Sequence, residues 1–236
     1  MLRVVEHFER TDAGRRRRGN EDAFYARAPL FAVADGMGGA QAGEVASSVA
    51  IEVLEQGLPD GDGSVEERLT RRVREANERI NNLAREDEQR AGMGTTLTVA
   101  HVGEGEVTVA HVGDSRMYRL RDGDFERLTE DHSLVEELRR QGRLTPAEAE
   151  EHPQRSIITR ALGPEAHVEP DVQTLPARAG DVYLICSDGL TPTMIGEDEV
   201  GALLARAPSL ADAGRRRRGN EDAFYARAPL FAVADG

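Results

Sequence analysis

Apolar residues at steps of three and four mark one helical face across residues 64–90: Val65, Leu69, Val73, Ala76, Ile80 and Leu83. Ser64 and Glu67 have the spacing of a capping box at its start. The pattern predicts one long amphipathic helix over 64–90. Residues 42–56, rich in Ala, Val and Glu, predict another helix, and the Gly/Pro/Asp stretch 58–63 a loop between the two. Upstream, FYARAPLFAVA at 24–34 reads as two short strands around Pro29, followed by a tight turn, DGMGG, at 35–39. After residue 94 the period changes. Residues 95–102, 106–112, 116–120 and 125–128 are short strand-type runs, with turns at 103–105 and 122–124. Residues 133–141 and 144–151 predict two short helices, the second with Thr145 as N-cap and Pro146 at its first position. Strands follow at 168–173 and 181–186, and a helix at 197–206. Helices and strands come in blocks and do not alternate as βαβ units. This predicts an α+β chain, a largely antiparallel sheet system with segregated helix layers.

Composition narrows the function. Hydrophobic residues make up 39% of the 236 and Trp is absent, so the core is aliphatic. All 30 basic residues are Arg, yet the net charge is −13, which argues against a nucleic-acid binder. The run Arg15–Arg18 is the local exception. Cys186 is the single cysteine, so no internal disulfide forms, which fits a reducing cytoplasm. No apolar run approaches the ~20 residues of a membrane span. The stretch MLRVVEHFER lacks an apolar signal core, and a cytoplasmic location is expected.

Residues 212–236 repeat residues 12–36 letter for letter, DAGRRRRGNEDAFYARAPLFAVADG. Fold repeats keep apolar spacing while their letters drift. A perfect copy therefore points to a recent duplication or an artificial join. The reading is one domain over 1–211, followed by a copy that is no domain of its own. Both copies suit one slot in the fold. The first is joined directly to Met37, so it has the smaller loop-closure cost and is expected to fill that slot. The second is expected either to lie weakly ordered on a sheet edge or to enter another molecule in a domain swap.

The candidate chemistry is acidic. Asp35 in AVADGMGG, Asp114 in AHVGDSR and Asp188 in LICSDG each end an apolar run, and Asp22 in NEDAF starts one. A single Asp-Gly at a strand end is usually only a turn. Several such carboxylates brought to one place need a counter-charge, which hard divalent cations supply through oxygen ligands. The glycine after Asp35 lets its carbonyl approach the same ion. Two such ions roughly 3.5–4 Å apart could clamp a water and a phosphoryl group for in-line displacement.

These motifs as a set, RxxNED at 17–22, ADGMGG at 34–39, GTT at 94–96, GDSR at 113–116, ITRALG at 158–163 and CSDGLT at 186–191, resemble the metal-dependent Ser/Thr protein phosphatases of the type-2C (PPM) family in their short bacterial form. The resemblance runs from about residue 5 to residue 211, and with it the chain reads as a four-layer α-β-β-α sandwich, two mostly antiparallel central sheets with helix pairs outside. It implies hydrolysis of phosphoserine and phosphothreonine on proteins by a metal-activated water, with Mn²⁺ or Mg²⁺ as cofactor. It implies that Asp35 bridges two ions, that Gly36 supplies a carbonyl ligand and that Asp188 is a ligand of the first ion. Asp114 corresponds to a ligand of a third ion. Glu21 and Asp22 correspond to residues that hold metal-bound waters, and Arg17 to the arginine that grips the substrate phosphate. The stretch 141–154 resembles a flap beside the site, and His132 takes a structural or flap-associated place. The partners implied are phosphorylated proteins, the Ser/Thr kinases among them, with no nucleic acid and no membrane; a monomer is expected. The family closes with a helix, a GGxDN motif carrying another metal Asp, and a last strand. Here the copied text stands in that position. The rival readings are a phosphatase-like binding module and a phosphatase of anti-sigma-factor antagonists.

Overall fold

The computed structural model describes residues 4, 6–12, 20–39, 42–190, 196–214 and 229–235. Two sheets stack face to face. The first contains β2 (Asp22–Arg27), β3 (Leu30–Met37), β5 (Leu97–Val102), β6 (Glu106–Val112) and β9 (Asp171–Pro176) in the order β2-β3-β5-β6-β9, all antiparallel. The two-residue β4 (Gly94–Thr95) pairs with β3. The second sheet runs β1 (Glu6–Asp12), β11 (Pro229–Asp235), β10 (Val182–Cys186), β7 (Arg116–Arg121) and β8 (Asp124–Arg127).

Side-chain alternation along the strands builds three apolar interfaces. Leu30, Ala32 and Ala34 of β3 face α1 (Ala42–Glu55) and α2 (Val65–Glu86), joining Ala46, Leu54, Leu69, Val73 and Ile80. The intervening Phe31 and Val33 face the other sheet and meet Met117, Tyr183 and Ile185. β10 does the same from its side: Leu184 and Cys186 turn outward against Val200 and Leu204 of α5 (Glu197–Gly214). Burial on both faces explains why LFAVA and VYLIC are continuous apolar runs. Each fully buried side chain of this size contributes about 1.5–3 kcal/mol. Three interfaces make four layers, as the sequence predicts. Among the described residues, however, one helix and not a pair covers the outer face of the second sheet.

Several predicted boundaries shift. The capping box is present, with the Glu67 amide donating to Ser64 Oγ and the Ser64 amide donating to the Glu67 carboxylate. The helix it starts ends at Glu86, because Asp87 turns extended and caps a separate 3-10 turn, Glu88–Arg90. Thr145 caps α4 (Pro146–Glu150) as expected, and Ser133, expected as the first residue of the preceding helix, caps α3 (Leu134–Arg140). β9 begins at Asp171 and not at 168, because the Asn77 amide holds the carbonyls of Glu165 and Ala166 and Arg160 holds that of Glu169. β1 has no counterpart among the strands expected from the pattern.

The two copies of LFAVAD separate. The first is β3, as expected. In the second, the helix α5 continues through Gly214, and β11 takes an interior place, not an edge. It pairs parallel with β1 from Glu6↔Pro229 to Asp12↔Asp235, and parallel with β10 from Leu184↔Phe231 to Cys186↔Val233. One hexapeptide thus serves as an antiparallel strand in one sheet and a parallel strand in the other.

Candidate metal centre

Strand ends bring the acidic residues together. Asp22 opens β2 and stands directly across from Asp35 near the end of β3. Asp188 follows β10, and Asp114 lies in the turn between β6 and β7. A cleft of about 290 Å³ is lined by Glu21, Asp35, Gly36, Met37, Asp114 and Asp188, together with Ser156 and Ile158. A larger cavity of about 420 Å³ lies elsewhere, between α2 and residues 166–169. It is bordered by the ion pair of Arg74 with Glu169 and has no acidic cluster.

Main-chain bonds fix Asp35. Its amide donates to Thr96 Oγ1 at 2.9 Å, and its carbonyl accepts from the Thr96 amide and the Thr95 hydroxyl, both at 2.9 Å. Gly36 donates its amide to the Glu21 carbonyl at 3.2 Å, and that carbonyl also accepts from Ser47 Oγ of α1. A Cβ on Gly36 would lie 2.2 Å from the Gly43 carbonyl oxygen, and one on Gly43 would lie 2.3 Å from Glu21 Oε2. Both glycines are therefore set by close backbone approach, which brings the start of α1 against the Asp35-Gly36 turn.

Asp114 sits on a second rigid turn. Gly113 has φ +110°, and a Cβ there would meet Thr96 Cβ at 2.6 Å. Buried His132 accepts the Gly113 amide at Nδ1 (3.0 Å), and its own amide donates to the Gly113 carbonyl (2.7 Å). Its Nε2 donates to Asp171 (3.0 Å). These bonds give His132 the structural place expected of it. Arg116 of the GDSR motif turns away from the cleft and grips Asp131 with two nitrogens, at 2.9 and 2.6 Å.

The electrostatics are those of crowded carboxylates. Burial, then the charges of Asp22 and Asp188 and a hydrogen bond with Asp22, push the Asp35 carboxyl up to about 10. Burial, then Asp188 and Asp131, raise Asp114 to about 7. Asp22 also accepts from Ser187 Oγ at 3.1 Å. Such a cluster is poorly charged by itself and stabilised as anions by a cation. The donor set is entirely oxygen, which suits Mg²⁺ or Mn²⁺. Among the described residues no three acidic, His or Cys side chains are closed into a cage, so waters and carbonyls would complete any shell.

Of the residues singled out in the sequence, Glu21, Asp35, Gly36, Asp114 and Asp188 line one cleft, and Asp22 adjoins it. Arg17 and the end of the CSDGLT motif lie outside the described residues. Ser156 escaped the sequence reading, and Ile158 entered it only as the first letter of the ITRALG motif, without a role of its own; both follow the flap-like stretch 141–154. They are held by Leu134, whose amide donates to the Ile157 carbonyl, and by Thr159, whose amide donates to that of His132.

Comparison with known proteins gives a consistent result. A family model described as protein phosphatase 2C matches residues 13–216. The serine/threonine protein phosphatase PstP of Mycobacterium tuberculosis is 44% identical over 216 residues, which cover 90% of this chain and 41% of that protein. The chain thus spans about two fifths of that relative's length. The serine/threonine phosphatase stp of Listeria monocytogenes is 40% identical over 236 residues, covering 96% of this chain and 90% of that one. The crystal structure of M. tuberculosis PstP/Ppp superposes with a TM-score of 0.79 at 42% identity, covering 88% of this chain and 87% of that one. A PstP catalytic domain in complex with two manganese ions gives 0.77 at 40% identity, covering 88% and 86%.

Proposed function

Because the chain belongs to the protein phosphatase 2C family, we propose that it hydrolyses phosphoserine and phosphothreonine on proteins and that the acidic cleft is where it does so. The observation that carries this reading is the convergence of Asp35, Asp114 and Asp188 on one cleft, with Asp35 raised to about 10 by burial and then by its acidic neighbours. Divalent cations bound there would supply a nucleophilic water near neutral pH and neutralise the phosphoryl oxygens.

The residues divide the work. Asp35, fixed through its main chain, would hold both ions, with the Gly36 carbonyl and Asp188 as further ligands. Asp114 would serve a neighbouring ion. Glu21 and Asp22 would orient waters by accepting hydrogen bonds from them. Arg17 is proposed to hold the substrate phosphate, which a guanidinium does bidentately. Ser156 and Ile158 would meet the protein substrate at the mouth of the cleft. The substrates are proposed to be cytoplasmic phosphoproteins, including Ser/Thr kinases and their targets, met by a monomer. The copied segment is proposed to stand in for the closing strand of the family, a reading supported by the interior place of β11.

Hydrolysis of a phosphothreonine peptide with Mn²⁺ present, and again after chelation, tests the proposal. Turnover that depends on Mn²⁺ and falls at least 100-fold in Asp35→Asn is expected. Cation-independent turnover, or none under any condition, contradicts it.

A further inference from the structure

Thr96 belongs to neither acidic strand end, yet it touches both. It is fully buried, as is Ser115, the residue after Asp114. Its backbone and hydroxyl each take one main-chain group of Asp35: the Thr96 amide donates to the Asp35 carbonyl, and Thr96 Oγ1 accepts the Asp35 amide, each at 2.9 Å. An amide can only donate, so the hydroxyl proton of Thr96 remains available. Ser115 Oγ lies 2.8 Å from Thr96 Oγ1. Either hydroxyl can donate in this bond, and in both cases a hydrogen-bonded chain connects Asp35 N–H to Thr96 Oγ1 and on to Ser115 Oγ. The Ser115 carbonyl accepts from Thr98 Oγ1 at 3.0 Å, so a residue of β5, two positions after Thr96, holds the same turn. The methyl side of Thr96 completes the contact, because Gly113 packs directly against its Cβ and Cγ2.

We infer that Thr96 is a positioning residue of the metal centre, a hydroxyl tie that sets the spacing between the Asp35-bearing strand and the Asp114-bearing turn through Ser115. The inference rests on the phosphatase reading above and adds a residue that acts through both acidic groups without touching a cation or the substrate. A site that holds two or more ions needs its carboxylates fixed to fractions of an ångström. A main-chain tie on one side and a side-chain tie on the other give that fixity inside the sheet, away from solvent.

Removal of the Thr96 hydroxyl is felt at Asp114, because Asp35 keeps its bonds to the Thr96 amide and the Thr95 hydroxyl. Thr96→Val keeps the shape and deletes the hydroxyl; Thr96→Ser keeps the hydroxyl. Asp114→Ala defines, by Mn²⁺ titration calorimetry of the full chain, the binding event that belongs to Asp114. In Thr96→Val that same event should weaken about tenfold or more, with the remaining binding within twofold of the unsubstituted protein, and the Mn²⁺ concentration for half-maximal turnover should rise in parallel. Thr96→Ser should restore both. Ser115→Ala should reproduce the loss, and the double variant Thr96→Val/Ser115→Ala should be no worse than either single one, as expected for two members of one bond. If Thr96→Val does not fold, Ser115→Ala alone carries the comparison. Unchanged Mn²⁺ affinities in the folded variants, a uniform loss of every binding event, or failure of Thr96→Ser to rescue overturns the tie. Normal Mn²⁺ binding by Asp35→Asn would instead overturn the metal centre itself.

Discussion

At the scale of single residues, the site is a set of carboxylates held by uncharged neighbours. Gly113 shows how little freedom those neighbours leave. Its φ of +110° suits glycine, and any Cβ would overlap Thr96 at 2.6 Å. Gly113→Ala should therefore cost about 2–4 kcal/mol, combining backbone strain with the forced shift of Thr96. Urea unfolding of the metal-free protein measures it, and a cost below about 0.5 kcal/mol would contradict the packing described. The carboxyls make a prediction about pH as well. The folded state raises Asp35 to about 10 and Asp114 to about 7 from an ordinary value of 3.8. A raised acid binds its proton more tightly when folded, so its contribution is complete below about pH 4 and lost as pH rises through the folded value. Without cations, these two groups favour the folded state less at pH 8 than at pH 5. A cation replaces those protons, so its binding strengthens as they leave. The gain in melting temperature from saturating Mn²⁺ should widen from pH 5 to pH 8, as measured by thermal scans with Mn²⁺ and with chelator. A constant or narrowing gain contradicts the assignment.

At the scale of elements, what the sequence showed and what it concealed follow from the physics of each segment. α2 was legible because one apolar face and a capping box agree. β3 and β10 were legible as continuous apolar runs, since both of their faces are buried. β1 was not, because EHFERTD has neither clean alternation nor an apolar run; its place comes from pairing with β11, a partner distant in sequence. β9 was displaced by side-chain bonds from Asn77 and Arg160, which periodicity does not register. The acidic site was legible as Asp residues at strand ends, whereas Ser156 carries no charge to mark it, and Thr96 and Ile158 stood out only as letters of the GTT and ITRALG motifs. The copied segment gave the largest departure, since identical letters form strands in two different pairing environments. Because β11 is bonded on both sides, removing residues 212–236 would leave β1 without its partner and expose the edge of β10. Deletion should lower the melting temperature by at least 10 °C or abolish a cooperative transition, as differential scanning calorimetry would show. An unchanged transition would mean that the strand contributes nothing to the sheet.

At the scale of the whole molecule, the two sheets put their acidic ends on one side and their packed faces elsewhere. β2 and β3 deliver Asp22 and Asp35 from one sheet, while β10 delivers Asp188 from the other. Ser187, at the end of β10, bonds to Asp22 across the sandwich. The centre is therefore assembled between layers, and its cations would bind only where the sandwich is closed. The account turns on Asp35 as the residue that gathers them. Isothermal titration of the metal-free protein with Mn²⁺, beside Asp35→Asn under the same conditions, tests this most directly. The account predicts at least two Mn²⁺ bound per chain with release of protons, and loss of most of that binding in Asp35→Asn. Equal stoichiometry and affinity in the two proteins would contradict it.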